Sequence, residues 1–338
     1  MTELQPSPQT PPSLMPPFWL MGILLLLCGA VLVWRIPPLL RSIEERQRLG
    51  SEALITNGFD LPETLRSDPT LVRWGSPEEV IPIDTPPIWG VEKVDELGTN
   101  FRTRFLISTS EVIGVVIDGQ PRAYPLRILQ WHEVVNDTLG EIPICVIYHP
   151  LSETSTVFQR PQGNQREPLI FGSSGLLVDC CLLIHERLGI GRRLEESLWS
   201  PTDGEVIAGP RIGEPLKLVP FMLTSWKIWK EKHPDTEVLG MVERHRRYYK
   251  KEPYSPYRLV DRPRYQYLPQ PPAGQRANLS RVIVTRQPLG WMAQVSTLGG
   301  ADPHLDPHRD RLLDPAPFPH VVTSWFAIHA RQLKQQTP

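Results

Sequence analysis

Proline is the residue that most limits what this chain can fold into. There are 38 prolines in 338 residues, about twice ordinary usage. Each fixes φ and removes a backbone donor, so long uninterrupted helices are excluded over most of the chain and short strands and loops are favoured. One stretch escapes the restriction: residues 18–34 carry neither proline nor charge. That length is at the lower end of what crosses a hydrocarbon core about 30 Å thick, and Trp19 and Trp34 sit near its ends, where amphipathic rings prefer the headgroup level. No basic residue precedes it and no small-x-small site follows before Arg35, so it reads as an uncleaved single-pass transmembrane helix and not as a signal peptide. Residues 1–17 form a Pro-rich disordered leader without Lys or Arg, whereas Arg35, Arg41, Arg46 and Arg48 follow the segment. The positive-inside rule then anchors the chain in the cell membrane with its C-terminal bulk in the cytoplasm.

Lys and Arg total 36 against 37 Asp and Glu, a formal net charge of -1, so no global basic field exists and nucleic acid is not an expected partner. Of the 4 cysteines, Cys28 lies in the apolar run, leaving Cys145, Cys180 and Cys181. An odd remainder with no Cys-x-x-Cys pair reads as buried small hydrophobes, not as a disulfide framework or a zinc ribbon. Gly-rich phosphate loops are absent. Phe171-Gly172-Ser173-Ser174-Gly175 has its glycines one position too close for a nucleophile elbow.

Residues 35–100 read as a juxtamembrane helix and a Pro- and Asp-rich linker, with a compact domain over 101–240. A strand at 112–118 is closed by the hairpin signal Asp118-Gly119 and returns over 122–124. A helix is expected over 126–136, then strands at 142–149, 154–159, 168–172 and 181–186. Thr224-Ser225-Trp226 opens a helix that His233-Pro234 stops. The Thr-Ser-Trp trio recurs at Thr323-Ser324-Trp325, after hairpin-like runs at 282–285 and 291–295, so 241–338 reads as a C-terminal extension with a degenerate second repeat. The expected class is α+β: a short-stranded, mostly antiparallel β domain with a few helices.

The strings VIGVVIDGQPRAYPLRILQWHEVVNDTLGEIPICVIYHPL, FGSSGLL, ESLWS, GEVIAGP and LTSWKIWKEKHPDTEVL occur in that order. Over about residues 110–240 they closely resemble the bacterial and archaeal domain of unknown function 3179 (DUF3179). The resemblance implies no activity, substrate or cofactor. Members commonly carry Tyr-Cys-Pro-Leu where this chain has Tyr148-His149-Pro150-Leu151. Imidazole in place of thiolate keeps a metal ligand and loses a nucleophile, so thiol chemistry is not expected here.

His132 shares an expected helical face with Ile128, Trp131 and Val135 and reads as a core histidine on a backbone carbonyl or as a ligand. Glu133 is a poor partner for it, because consecutive helical residues diverge by about 100°. His149 and Cys145 share a strand face but lie about 13 Å apart, too far for one ion; the same arithmetic separates Cys181 from His185. One contribution per element remains: His132, His149 and His185, three imidazoles able to hold a zinc or copper ion with an open position. The run 244–251 gathers Arg244, Arg246, Arg247, Lys250 and Lys251 around Tyr248 and Tyr249. Near a bilayer such a cluster attracts anionic lipid by about 1 kcal/mol per charge. His304, Asp306 and His308 read as loop polar residues. Two functions follow: a non-enzymatic binding or assembly module at the membrane surface, or a metal-binding protein or metal-dependent enzyme using His132 and His149. The first expects those two histidines to be satisfied separately.

Overall fold

A computed structural model describes residues 56–257, apart from 78, 100–104, 164–165 and 255–256, together with 281–287, 290–297, 320–324 and a few isolated positions between 19 and 27. The expected segment 18–34 lies almost wholly outside the described residues. Among them no helix is long and apolar enough to cross a membrane.

Among the described residues, seventeen strands, numbered in chain order, build three sheets. The first sheet runs β13 (Met222–Ser225), β3 (Glu111–Ile117), β4 (Gln120–Pro125), β14 (Glu237–Leu239) and β2 (Ile88–Gly90). The middle sheet runs β16 (Gly290–Thr297), β15 (Arg281–Gln287), β17 (His320–Ser324), β7 (Thr154–Gln159), β6 (Ile142–His149) and β5 (Val134–Leu139), with β12 (Lys217–Leu218) also on β7. The third runs β1 (Val72–Arg73), β8 (Phe171–Val178), β9 (Cys181–Glu186), β10 (Leu198–Ser200) and β11 (Glu205–Ala208). Every pairing of named strands is antiparallel except β14 on β4. Helices α1 (Glu63–Arg66), α2 (Val91–Gly98), α3 (Leu126–His132) and α4 (Trp226–Lys232) are short, as the proline content demands.

The sheets stack because β6 is apolar on both faces. Ile144, Val146 and Tyr148 pack with Ile113, Tyr124, Leu129 and Trp229 of the first sheet and its helices. Cys145 and Ile147, pointing the other way, pack with Phe171, Leu177, Ile184 and Trp199 of the third. A strand buried on both faces reads as a continuous apolar run, which is what 142–148 is. The far face of the third sheet is covered by Phe59, Leu61 and Leu65. Arg122 of β4 stitches the first two layers, donating to Asp137 of β5 at 2.7 Å and to Glu237 of β14 at 2.6 Å.

Several elements differ from expectation for identifiable reasons. Asp118 and Gly119 do turn the β3–β4 hairpin, at φ 49 and 77, both positive as a type I′ turn requires. Helix α3 stops at His132 and not at 136, because Glu133 takes φ 57 and Val134-Val135-Asn136 pair with Ile147, Val146 and Cys145. Adjacent β-branched residues favour that strand, and Val135 therefore shares no helical face with His132. Strand β8 begins at Phe171 and runs on to Val178, through a bulge at Gly175, whose φ is 70. Residues 56–98, expected as linker, supply α1, α2, β1 and β2.

One three-stranded pattern occurs twice. β13 pairs with β3 through Ser225↔Glu111 and Thr224↔Val112, and β3 with β4. β17 pairs with β15 through Ser324↔Arg281 and Thr323↔Val282, and β15 with β16. In both, the Thr-Ser strand lies antiparallel to the first strand of a hairpin. The second unit joins the middle sheet where Val322 meets Ser155 of β7.

Candidate functional site

The end of α3 sends two consecutive side chains in opposite directions. Glu133 sits at φ 57, ψ -37, a conformation that costs a non-glycine residue about 1–3 kcal/mol. On one side, His132 is 3% exposed; its Nδ1 lies 2.6 Å from the Ile81 carbonyl and its Nε2 2.8 Å from the Tyr249 hydroxyl. A neutral ring donating from Nδ1 and accepting at Nε2 satisfies both contacts. Burial pushes its pKa down to about 4, which keeps the ring neutral. His132 is thus a core histidine on a backbone carbonyl.

On the other side, Glu133 and His149 are 1% and 0% exposed, with Oε1 3.2 Å from Nδ1. Glu133 Oε2 and His149 Nε2 make no hydrogen bond, and neither does the buried Trp74 Nε1, whose ring centroid lies 6.2 Å from that of His149. Thr156 and Ser173 carry hydroxyls in the same condition. Their cross-strand partners are Ile147 and Ile184, both in the core between the middle and third sheets, so both hydroxyls face that layer. The apolar interlayer therefore has a polar end, where β6 runs out at His149.

His185 belongs to a third environment. Its Nδ1 lies 2.9 Å from Glu196 Oε2, which also accepts from Arg193 at 2.7 Å. The Arg193 guanidinium lies over the Phe59 ring. Nearby Glu186 accepts the Ser197 N–H at 2.9 Å and the Trp199 indole N–H. Burial lowers the His185 pKa. For Glu196 burial acts upward, but the His185 hydrogen bond and the His185 and Arg193 charges prevail and hold it below the usual carboxylate range.

The convergence expected of His132, His149 and His185 is therefore not found: each has a partner set of its own. Among the described residues no group of three or more His, Cys, Asp and Glu is arranged to hold a metal ion. Cys145, Cys180 and Cys181 are buried and free of disulfides, and burial raises the Cys145 thiol pKa, the reverse of what a nucleophile needs. His304, Asp306 and His308 lie outside the described residues.

The basic run does form one feature. Two 3-10 turns, Glu243–His245 and Tyr248–Lys250, fold Arg244, Arg246, Arg247, Lys250 and Lys251 around a surface concavity of ≈ 720 Å³ that Glu243 and Tyr248 also line. All five cations are exposed. The two tyrosines divide the work. Tyr249 is 2% exposed, holds His132 through its hydroxyl, and accepts from Arg127 at its carbonyl; Tyr248 stays outside, its ring 5.3 Å from that of Trp131.

The Glu133–His149 pair and Trp74 were not foreseen from the sequence. The divergence of neighbouring helical residues that disqualified Glu133 as a partner for His132 is what points it at another histidine. A strand start at Val134, signalled by Val134-Val135, would have revealed it.

Comparison with curated proteins and with solved structures finds no match in either. A family model described as "Protein of unknown function (DUF3179)" matches residues 80–295, a wider span than the 110–240 of the quoted strings. It takes in α3, the Glu133–His149 pair, His185 and the basic concavity. Since that match covers more than half of the sequence, the chain belongs to the DUF3179 family.

Proposed function

We propose that this chain is a single-pass, membrane-anchored binding module, not an enzyme, that rests on the cytoplasmic membrane surface through its basic concavity. One observation carries the reading: five exposed cations surround a concavity, and Tyr249, between two of its lining residues in sequence, is tied to the core by its contact with His132. Five charges near an anionic leaflet supply about 5 kcal/mol if all engage. An anchor at 18–34 holds the domain at the surface, so this attraction orients the domain and does not have to recruit it. The separate satisfaction of His132 supports the same reading, since it leaves that ring no nitrogen for a metal shared with His149.

The test uses the full-length chain in nanodiscs. Lys250 and Lys251 should be acetylated several-fold more slowly in discs containing phosphatidylserine than in phosphatidylcholine discs. The protection should fade in high salt, where the screening length falls to about 3 Å, and in the variant R246E/R247E. Equal acetylation rates in the two lipids would sink the proposal.

A further inference from the structure

The basic concavity leaves the polar end of the interlayer without a role. Glu133 and His149 have each other at 3.2 Å, and Glu133 Oε2 and His149 Nε2 have no hydrogen-bonding partner. The Trp74 indole N–H and the Thr156 and Ser173 hydroxyls at the same layer are likewise unpartnered. Buried polar atoms are hydrogen-bonded in the great majority of cases, and each exception in a native structure calls for an explanation. The unmet acceptors among them, Glu133 Oε2 and His149 Nε2, point to a bound hydrogen-bond donor; the Trp74 N–H is itself a donor and is not among the atoms such a group completes.

The atoms define what that group must be. In the neutral tautomer whose Nδ1–H donates to the Glu133 carboxylate, the state assigned to the pair, a carboxylate oxygen and an imidazole nitrogen are left as acceptors and one negative charge is buried. A buried carboxylate is tolerated when a cation or hydrogen-bond donors compensate it. A transition-metal ion asks for at least three protein ligands of the His, Cys, Asp and Glu kinds, and no such group is found among the described residues. An ammonium group asks only for lone pairs and an aromatic face. Trp74 beside His149 is the side chain with the strongest cation–π attraction, and the Thr156 and Ser173 hydroxyls can take a remaining N–H.

We propose that Glu133, His149 and Trp74 form a binding site for a small primary ammonium ion, separate from the membrane-facing concavity. The segment carrying Trp74 closes the site from outside. Trp74 N–H donates to the Gly175 carbonyl at 3.0 Å, and Asn57 Nδ2 donates to the Gly75 and Ser174 carbonyls at 2.9 and 2.8 Å. Entry of a ligand requires these contacts to open.

Methylammonium chloride is the probe, titrated into the full-length chain in detergent against sodium chloride at matched ionic strength. It should raise the melting temperature saturably and by more than sodium chloride does, and it should shift the His149 ring nitrogen resonances in a long-range proton–nitrogen spectrum. Glu133→Gln, which keeps the shape and removes the charge, should raise the half-saturating concentration at least about tenfold; Trp74→Phe should raise it less. R246E/R247E should leave it unchanged, so this proposal and the membrane reading fail independently. The inference is overturned if methylammonium and sodium chloride act alike on the wild-type chain, a result read without any variant. It is equally overturned if Glu133→Gln binds as the wild type does, or if zinc chloride shifts the His149 resonances and methylammonium does not.

Discussion

Removing the two members of the Glu133–His149 pair one at a time should have unequal costs. His149→Phe fills much of the ring's space but strips a 1% exposed carboxylate of its one protein hydrogen bond. Leaving a buried carboxylate without its hydrogen bond costs more than the ~1–3 kcal/mol of a neutral orphan. Glu133→Leu leaves a neutral imidazole with an unpaired N–H, which costs about 1–3 kcal/mol. The backbone at φ 57 burdens Glu and Leu alike and cancels. In the double variant neither orphan remains, so its cost should fall below that of His149→Phe alone by about 1 kcal/mol or more. Urea unfolding of the full-length chain without added amine, read as midpoint shifts at constant slope, measures all three. The reasoning fails if Glu133→Leu costs as much as His149→Phe, because the orphaned carboxylate then carries no extra penalty, or if the double variant shows the sum of the single costs, because the pair is then not coupled.

Gly114→Ala would place a Cβ 2.2 Å from the Trp229 ring, which is 1% exposed and donates to Thr236 at 2.9 Å; a loss of about 3 kcal/mol or more by urea unfolding is expected. Gly119→Ala meets no atom within 4 Å but must hold φ 77, so about 1 kcal/mol is expected from the same measurement. Asn136→Ala removes the clamp between β5 and β8, in which Asn136 donates to Asp84 and to the Phe171 carbonyl and accepts the Phe171 N–H; it should cost about 2–4 kcal/mol and speed amide exchange at Phe171. Stability should also depend on His132, whose folded pKa of about 4 lies below the ordinary histidine value of 6.5. The unfolded chain binds the extra proton between those values, so stability from this group is full above about pH 6.5 and is lost towards pH 4, by about 3 kcal/mol in all. In His132→Gln the acid limb of the stability profile should be shallower by that amount, and an unchanged limb would contradict the assignment.

The strands were legible in the sequence wherever one residue pattern had one meaning. β6, β7 and β9 fall at the expected 142–149, 154–159 and 181–186 because β-branched and apolar runs are bounded there, by Pro150 after β6, Pro161 after β7, and Asp179 and Gly189 around β9. The boundary at residue 133 was not legible: Leu126 to His132 and Val134 to Leu139 join without a glycine or proline, and the break rests on one glutamate in a left-handed conformation. Residues 56–98 were hidden for another reason. Phe59 and Leu61 enter the core from irregular backbone and Leu65 from the single turn of α1, too short a run for any period to mark them. The site fared likewise. The basic run was visible because it is contiguous, whereas the Glu133–His149 pair depends on a long-range strand pairing that one sequence without an alignment does not display.

The two candidate surfaces obey different physics, and the fold explains why they coexist. A sheet buried on both faces must stop being apolar where its strands end, and β6 ends at His149 with Thr154 opposite on β7. Polar atoms there sit at the rim of a low-dielectric layer, where each unmet hydrogen bond is costly and each one supplied by a ligand is strong. Few residues suffice for selectivity in such a place. The concavity over 243–251 is exposed, so any attraction its cations exert is screened and additive, and under the proposed reading their number matters more than their geometry. His132 and Glu133, adjacent in sequence and opposite in direction, are where the rigid middle sheet meets both: one supports the concavity through Tyr249, the other forms the interlayer pair. An α3 continuing to 136 would have kept Glu133 within the helix and so removed the pair, which is why the strained residue is placed at the helix end.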